Sequence, residues 1–336
     1  MSRHSPRRPA PTRILTGGDV RRLLPMDRCI ELVADALTAL ARGEALNPLR
    51  AALWQPDRRG LLGLMPGFLG AAGLGVKVVG VFPGNHALGL DSHQGFVALF
   101  DAEHGAPRAI VDAASITAIR TAATSGLATR LLARPASRCL ALLGTGVQAR
   151  SHLEAMTAVL RLDDVRVWSR SPAHRLDFVE WAGRALGVPV AAAGSAREAV
   201  EGADVVCTTT ASPQPVLLGD WLAPGLHVNA VGSSMRSSRE LDGVAMARSL
   251  LFVDRRESAV NEAGDYLLAL EEGAIGPDHI RAELGELLLG SAAGRTSEEE
   301  ITVFESLGLA VEDLAAAAWV LERAREQDAG VEVELA

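Results

Sequence analysis

Apolar residues recur at helical spacing at Ile30, Val33, Leu37 and Leu40, and Gly43 closes the run. The pattern predicts an amphipathic helix from Asp27 onward that needs a sheet to cover. Candidate strands follow at 51–54, 61–65, 75–81 and 95–101, separated by clusters of Gly, Pro, Asn and Asp, and this grouping predicts a mixed or antiparallel sheet. Near Ser115 the rhythm changes. A long helix is expected over 116–133, ended by Pro135, and 138–143 reads as a short, continuously apolar strand. Strand and helix then alternate: helices at 147–160, 173–186 and 196–201, strands at 165–168, 190–192, 204–208, 226–230 and 250–253. Short apolar strands between amphipathic helices are the pattern of a parallel sheet covered on both faces. The final stretch, 301–327, reads as a brief strand and a long Ala-rich helix. The sequence shows no internal repeat.

Composition narrows this picture. A chain of 336 residues, 48% apolar and 22% charged, suits two folded domains of ordinary size. The net charge of −8 argues against a nucleic-acid surface, which needs a clustered basic excess. The one basic run, Arg3 to Arg13, is interrupted by Pro6, Pro9 and Pro11, and a disordered tail is expected over 1–14. No apolar stretch of signal-peptide type follows it. The most apolar passage, 61–76, is broken by five glycines and Pro66 and ends at Lys77, too short for a bilayer span. Cys29, Cys139 and Cys207 are far apart in apolar surroundings and read as reduced core residues of a cytoplasmic protein; no metal site is expected.

Candidate chemistry begins where Leu140-Ala141-Leu142-Leu143 runs into Gly144-Thr145-Gly146-Val147-Gln148-Ala149. The first glycine permits a tight turn, the second lets a pyrophosphate approach the backbone, and Ala149 in the third slot lets helix pack close to strand. Amide groups at the start of the following helix would face the phosphates. A strand before, a helix after and alternation beyond give the motif the context a dinucleotide site requires. At the end of the next strand an NAD-specific site places an acid; this chain places Ser169 and Arg170. A guanidinium fits a 2′-phosphate, which favours NADP(H) with NAD(H) still open, although a solvated loop arginine would look the same.

Distributed motifs then extend over nearly the whole chain: Leu64-Met65-Pro66, Gly75-Val76-Lys77, Ile119 to Ser125, the glycine turn, Val228-Asn229-Ala230-Val231-Gly232, Arg239-Glu240-Leu241-Asp242, and Ile301 to Gly308. In these residues the chain resembles the ornithine cyclodeaminase/mu-crystallin family. The resemblance implies an α/β fold in which a Rossmann doubly wound parallel sheet, 126–307, is inserted into a discontinuous α+β domain of 15–125 and 308–330 that binds substrate and dimerises. It implies that Arg50 and Arg120 bind a substrate carboxylate and that Lys77 is the catalytic lysine. A guanidinium fork is the natural clamp for a carboxylate beside the carbon that exchanges hydride. Lys77 could supply or accept a proton if burial between those arginines lowers its pKa. Met65 and Ser234 would complete the substrate site. Thr121, Thr208, Thr209, Asn229, Val231, Gly232 and Ser306 would join Gly144 to Gln148, Ser169 and Arg170 around the cofactor.

The informative departure follows Gly232. Cyclodeaminases of the family carry a general-base aspartate there, and this chain has Ser233-Ser234, poor bases without a partner. Glu240 and Asp242 read as capping residues or partners of Arg239 in a helix start. His93 and Gln94, expected in a loop before the strand at Gly95, either line the pocket or are plain loop residues. The reading that results is a homodimeric, NAD(P)H-dependent reductase of small cyclic imino acids of the ketimine or Δ1-pyrroline-2-carboxylate type. Its alternatives are ornithine cyclodeaminase, an alanine-type amino-acid dehydrogenase, and a non-enzymatic NADPH- or ligand-binding protein.

Overall fold

The computed structural model describes residues 11–335, and its chain divides into two compact units. The first comprises 11–25, Arg42–Thr117 and 309–335. It contains β1 (Thr12–Leu15), α1 (Gly17–Leu23), β2 (Ala45–Leu46), β3 (Ala51–Trp54), β4 (Leu61–Leu69), β5 (Gly73–Val81), β6 (His93–Phe100), β7 (Pro107–Asp112), α11 (Ala310–Glu326) and β16 (Val331–Val333). The strands run in the order β16-β1-β7-β6-β5-β4-β2, with β3 also on β4; all neighbours are antiparallel except β1 and β7.

β4 continues through Pro66, beyond the expected 61–65, because β3 pairs only with Leu61–Leu64 and β2 only with Phe68 and Leu69. The missing N–H of Pro66 falls in the gap between them. On the face that α11 covers, Gly67 and Gly75 are register partners, and the Leu314 side chain lies where their Cβ atoms would be, 3.2 and 2.3 Å from those positions. This recess lets α11 sit low on the sheet. The other face exposes Leu53, Leu62, Leu64, Leu74 and Phe96.

The second unit comprises Met26–Ala41 and Ala118–Gly308. α3 (Ala113–Leu132) runs across the boundary between the units. The unit then contains β8 (Cys139–Leu143), α4 (Val147–Val159), β9 (Asp164–Trp168), α5 (Pro172–Leu186), β10 (Ala191–Ala192), α6 (Ala196–Val200), β11 (Val205–Thr208), β12 (His227–Ala230), α7 (Gly243–Ala247), β13 (Leu250–Val253), α8 (Arg256–Glu262), α9 (Gly264–Glu271), β14 (Ile280–Glu283), α10 (Leu284–Leu288) and β15 (Thr302–Glu305). All eight strands are parallel, in the order β10-β9-β8-β11-β12-β15-β13-β14. The order reverses between β8 and β11, the topological switch point at which open α/β sheets bind ligands.

Three expectations are corrected. Part of the span 1–14 expected as a disordered tail is ordered: Thr12–Leu15 is a strand, and Arg13 is a buried clamp whose guanidinium donates to Ala324 O and Ala329 O and pairs with Glu332 at 2.5 Å. Residues 1–10 lie outside the described ones. The first amphipathic helix, α2 (Met26–Ala41), belongs to the second unit and packs on α4 and α10 instead of a sheet; Gly285 on α10 leaves room for Leu37 O and Ala41. The units meet in sequence at Thr117/Ala118 and Gly308/Leu309, in place of 125/126 and 307/308. Among the described residues no helix is long and apolar enough to cross a membrane.

Candidate active site

The glycine turn leaves β8 at Gly144, whose φ is +127°. A side chain there would be strained, and its Cβ would lie 2.6 Å from Thr209 Oγ1 and 2.8 Å from Thr209 O. Gly144 N donates to Trp168 O and Thr209 N to Leu143 O, both at 2.8 Å, so the ends of β8, β9 and β11 are tied at the switch point. Gly146 is the N-cap of the 13-residue α4, with ordinary φ of −77° and no side-chain cap. A Cβ added to Gly146 would meet nothing within 4 Å. Ala149, fully buried, lets α4 pack against the sheet. An uncapped helix N-terminus facing open space beside a left-handed glycine fits the pyrophosphate of a dinucleotide. Thr145 and Gln148 are half-buried and Val147 is exposed on the same turn.

Beyond β9, the half-buried Ser169 donates to Ser171 O at 3.2 Å, Ser171 caps α5, and Arg170 is exposed. The remaining loops at the C-terminal edge of the sheet are held by buried carboxyl groups that sequence reasoning missed or assigned differently. Glu240 accepts from Thr210 N, Thr210 Oγ1 and Gly232 N at 2.5–2.6 Å, linking the loops after β11 and β12. It does not pair with Arg239, which instead meets Glu272 at 2.7 Å. Asp242 is the N-cap of α7, as expected. Asp265 accepts from Glu240 N at 2.9 Å and Leu241 N at 2.7 Å. Asp254 accepts from Leu307 N at 2.8 Å and Gly308 N at 2.6 Å.

Ser233 Oγ lies within hydrogen-bond distance of both Asp265 Oδ2 and Glu305 Oε1, the latter at 2.8 Å. One hydroxyl hydrogen cannot serve two carboxylates, so a carboxyl proton must complete the set. Burial, with Asp265 adjacent, raises Glu305 well above the usual carboxylate range, and we place the proton there. Burial also pushes Asp265 up to about 6 and Glu240 up to about 7. His152 and His227 move the other way, down to about 4 and about 3, because burial penalises the imidazolium. Both are neutral packing groups, with His152 bridging Ser125 Oγ and Gln148 O and His227 on Thr302 Oγ1.

Arg120 lies on α3 and is only 3% exposed. Gly308, at φ +77°, makes room for it: a Cβ there would be 2.1 Å from Arg120 Nη1. The closing motif and the Arg120 motif are thereby brought together. Thr121 is buried next to it. Ser306 N donates to Ala230 O at 2.8 Å and Val231 N to Thr208 O at 3.1 Å, so these predicted cofactor residues line the ends of β15, β12 and β11. Asn229 is placed differently. It is fully buried inside the sheet, and its amide donates to Thr129 Oγ1 at 2.9 Å, which makes it a core residue. Ser234 is exposed.

In the first unit Lys77 projects from β5 on the face covered by α11. It is 4% exposed, with Nζ 2.8 Å from Asp313 Oδ2 and 3.4 Å from Thr117 Oγ1. The expected burial of Lys77 holds, but the group beside it is a carboxylate, which stabilises the ammonium instead of discharging it. Nothing in the Ala-rich pattern of the last helix singled out Asp313. Met65 is the register partner of Lys77 and is buried. Arg50, half-buried, immediately precedes β3. His93 and Gln94 lie within β6, because the β5–β6 ladder continues to Val81 and His93; both are exposed.

Comparison with known proteins extends these observations. A family model described as the ornithine cyclodeaminase/mu-crystallin family matches residues 11–328. A ketimine reductase mu-crystallin of Mus musculus is 42% identical over 281 residues, 83% of this chain and 86% of its own. The structure of a Thermococcus litoralis Δ1-pyrroline-2-carboxylate reductase in complex with NADH and L-proline superposes with a TM-score of 0.93 at 38% identity, covering 96% of this chain and all of that one. An archaeal alanine dehydrogenase dimer with bound NAD superposes with a TM-score of 0.91 at 34% identity, covering 97% and 99%.

Proposed function

The chain belongs to the ornithine cyclodeaminase/mu-crystallin family, and from that membership we propose that it is an NAD(P)H-dependent reductase of small cyclic imino acids, acting on a C=N bond next to a carboxylate. The observation that carries this reading is Lys77. It is the only lysine among 33 basic residues, and it is buried against Asp313. Arginine serves wherever charge alone is needed, but a guanidinium does not give up its proton and an ammonium does. Lys77 donates that proton to the imine nitrogen. Arg50 and Arg120 serve the substrate carboxylate by charge-assisted hydrogen bonds, Met65 offers the apolar wall beside Lys77, and Ser234 is assigned to substrate as well. A dinucleotide on the glycine turn supplies the hydride when bound. Residues 144–148, Ser169, Thr208, Thr209, Thr121, Val231, Gly232 and Ser306 serve that cofactor.

We assign NADP(H) as the preferred form, because Arg170 is exposed at the end of β9 and no acid stands at Ser169–Ser171. Arg170→Ala then weakens NADPH binding and leaves NADH nearly unaffected. The first unit is the substrate and dimerisation domain, and the exposed apolar face formed by Leu53, Leu62, Leu64, Leu74 and Phe96 is its dimer surface. Three free cysteines suit the cytoplasm. Ornithine cyclodeamination is disfavoured, since Ser234 offers no base and the Ser233 hydroxyl is engaged by Asp265 and Glu305.

The test follows nicotinamide absorbance with NADPH and NADH against Δ1-pyrroline-2-carboxylate and its six-membered homologue. Turnover of the imines that disappears in Lys77→Met supports the reading. Proline from ornithine, or turnover confined to pyruvate with ammonia, replaces it with one of the alternatives; dinucleotide binding without any turnover leaves a binding protein.

A further inference from the structure

The recess on the inner face of the first sheet has a chemical consequence. Gly67 and Gly75 face each other across β4 and β5, and Leu314 of α11 occupies the space their side chains would need. Asp313, the residue before Leu314, is thereby lowered onto β5 and meets Lys77, two residues along the strand from Gly75. Both side chains are withdrawn from water, Asp313 completely. A buried ion pair seldom stabilises a fold more than apolar residues of the same volume would. Packing alone therefore gives little reason for a carboxylate at this point, and catalysis gives a specific one.

We propose that Asp313 is a positioning residue for the reaction: its carboxylate keeps the Lys77 amine as an ammonium and fixes its direction, with the Thr117 hydroxyl as second contact. The inference depends on Lys77 being the proton donor of the preceding section. In the step concerned an N–H bond of Lys77 breaks as an N–H bond forms on the imine nitrogen, and water returns the proton to Lys77 after product leaves. Asp313 touches neither substrate nor cofactor and is unchanged throughout. Asp313 from α11 and Thr117 from α3 both face Lys77.

The lysine count makes the test direct. The 336-residue chain grown with lysine labelled at its side-chain nitrogen has a single such signal, that of Lys77. Wild type is expected to show an ammonium signal through about pH 8, below the ordinary lysine value of about 10.4. Asp313→Asn, close in size, should lower the titration midpoint by about 1–3 units, the usual effect of an adjacent opposite charge. It should also reduce kcat for imine reduction by about 10–100-fold, part of the roughly 10²–10⁴-fold that a positioned proton donor contributes. KM should move far less, dinucleotide affinity should stay at its wild-type value, and Asp313→Glu should recover part of the loss.

An unchanged midpoint and kcat in Asp313→Asn would overturn the proposal. Should that variant fail to fold, a neutral Lys77 in wild type at about pH 8 overturns it equally. Full turnover by Lys77→Met would instead remove the preceding reading, and the titration would still report whether Asp313 governs the amine.

Discussion

Gly144 and Gly146 stand two residues apart in one turn, yet the structure assigns them opposite sensitivities. At Gly144 a methyl group meets two penalties. The backbone is at φ +127°, a region that costs an ordinary residue about 1–3 kcal/mol. The Cβ would also lie 2.6–2.8 Å from Thr209 atoms, one of them backbone, and such overpacking costs about 1–3 kcal/mol. Gly144→Ala should therefore lose about 2–6 kcal/mol of stability, visible as a clear drop in Tm. At Gly146 φ is ordinary and the added Cβ meets nothing. The only penalty is alanine's poorer fit than glycine at an N-cap, under about 1 kcal/mol. If a pyrophosphate approaches this backbone, however, the methyl occupies its place, and NADPH affinity should fall at least about 10-fold, or about 1.4 kcal/mol. Thermal melts and fluorescence titration of NADPH on both variants decide the matter. A Gly146→Ala protein that binds as tightly as wild type would refute the assignment of this turn to the phosphates.

Three further perturbations probe other parts of the argument. Gly75→Ala places a Cβ 2.3 Å from Leu314 and 2.8 Å from Ala98 O, so a loss of about 1–3 kcal/mol with reduced kcat is expected in melts and assays. Gly63→Ala, whose nearest contact is 3.2 Å, should be milder, and equal effects would remove the role given to the recess. Glu305 is raised in the folded state, so the stability its proton provides is present in acid and lost as pH climbs from about 4.5. Glu305→Gln offers Ser233 Oγ an amide N–H in place of the carboxyl proton, without an ionisable group, and should be more stable than wild type near pH 9, the advantage shrinking toward pH 5; parallel denaturation curves at both pH values would contradict the shared-proton account. Replacing Leu62 and Leu64 with Glu should convert a dimer to monomer in light scattering, since each buried leucine contributes about 1.5–3 kcal/mol, and a persistent dimer would place the interface elsewhere.

Much of this protein can be read directly along the chain. Strands β8, β11 and β13 of the second unit lie close to their expected positions because each is a short, largely buried apolar run, a signal that depends on local residues alone. The glycine turn is equally local: strand, tight turn and helix are consecutive, although the Thr209 atoms that crowd Gly144 come from the end of a distant strand. Lys77 and Arg120 stand out as charges in apolar stretches. What the pattern does not carry is which surfaces meet. The amphipathic α2 announces an apolar face but not its partner, and it covers helices of the second unit instead of the first sheet. Arg13 reads as part of a basic tail until the last helix, the turn after it and the C-terminal strand, all more than 300 residues away, supply its acceptors.

The same holds at the candidate site. Sequence by itself determined the class of cofactor fold, the glycine turn and the identity of the unusual buried cations. Only the tertiary structure decided that Asp313 lies beside Lys77, that Glu240 joins two backbone loops instead of pairing with Arg239, that Asn229 belongs to the core, and that Ser233 stands between two acids sharing a proton. The physical reason is common to all four. A carboxylate's role is set by what burial and its partners do to its charge, and those partners come from distant segments that periodicity does not relate.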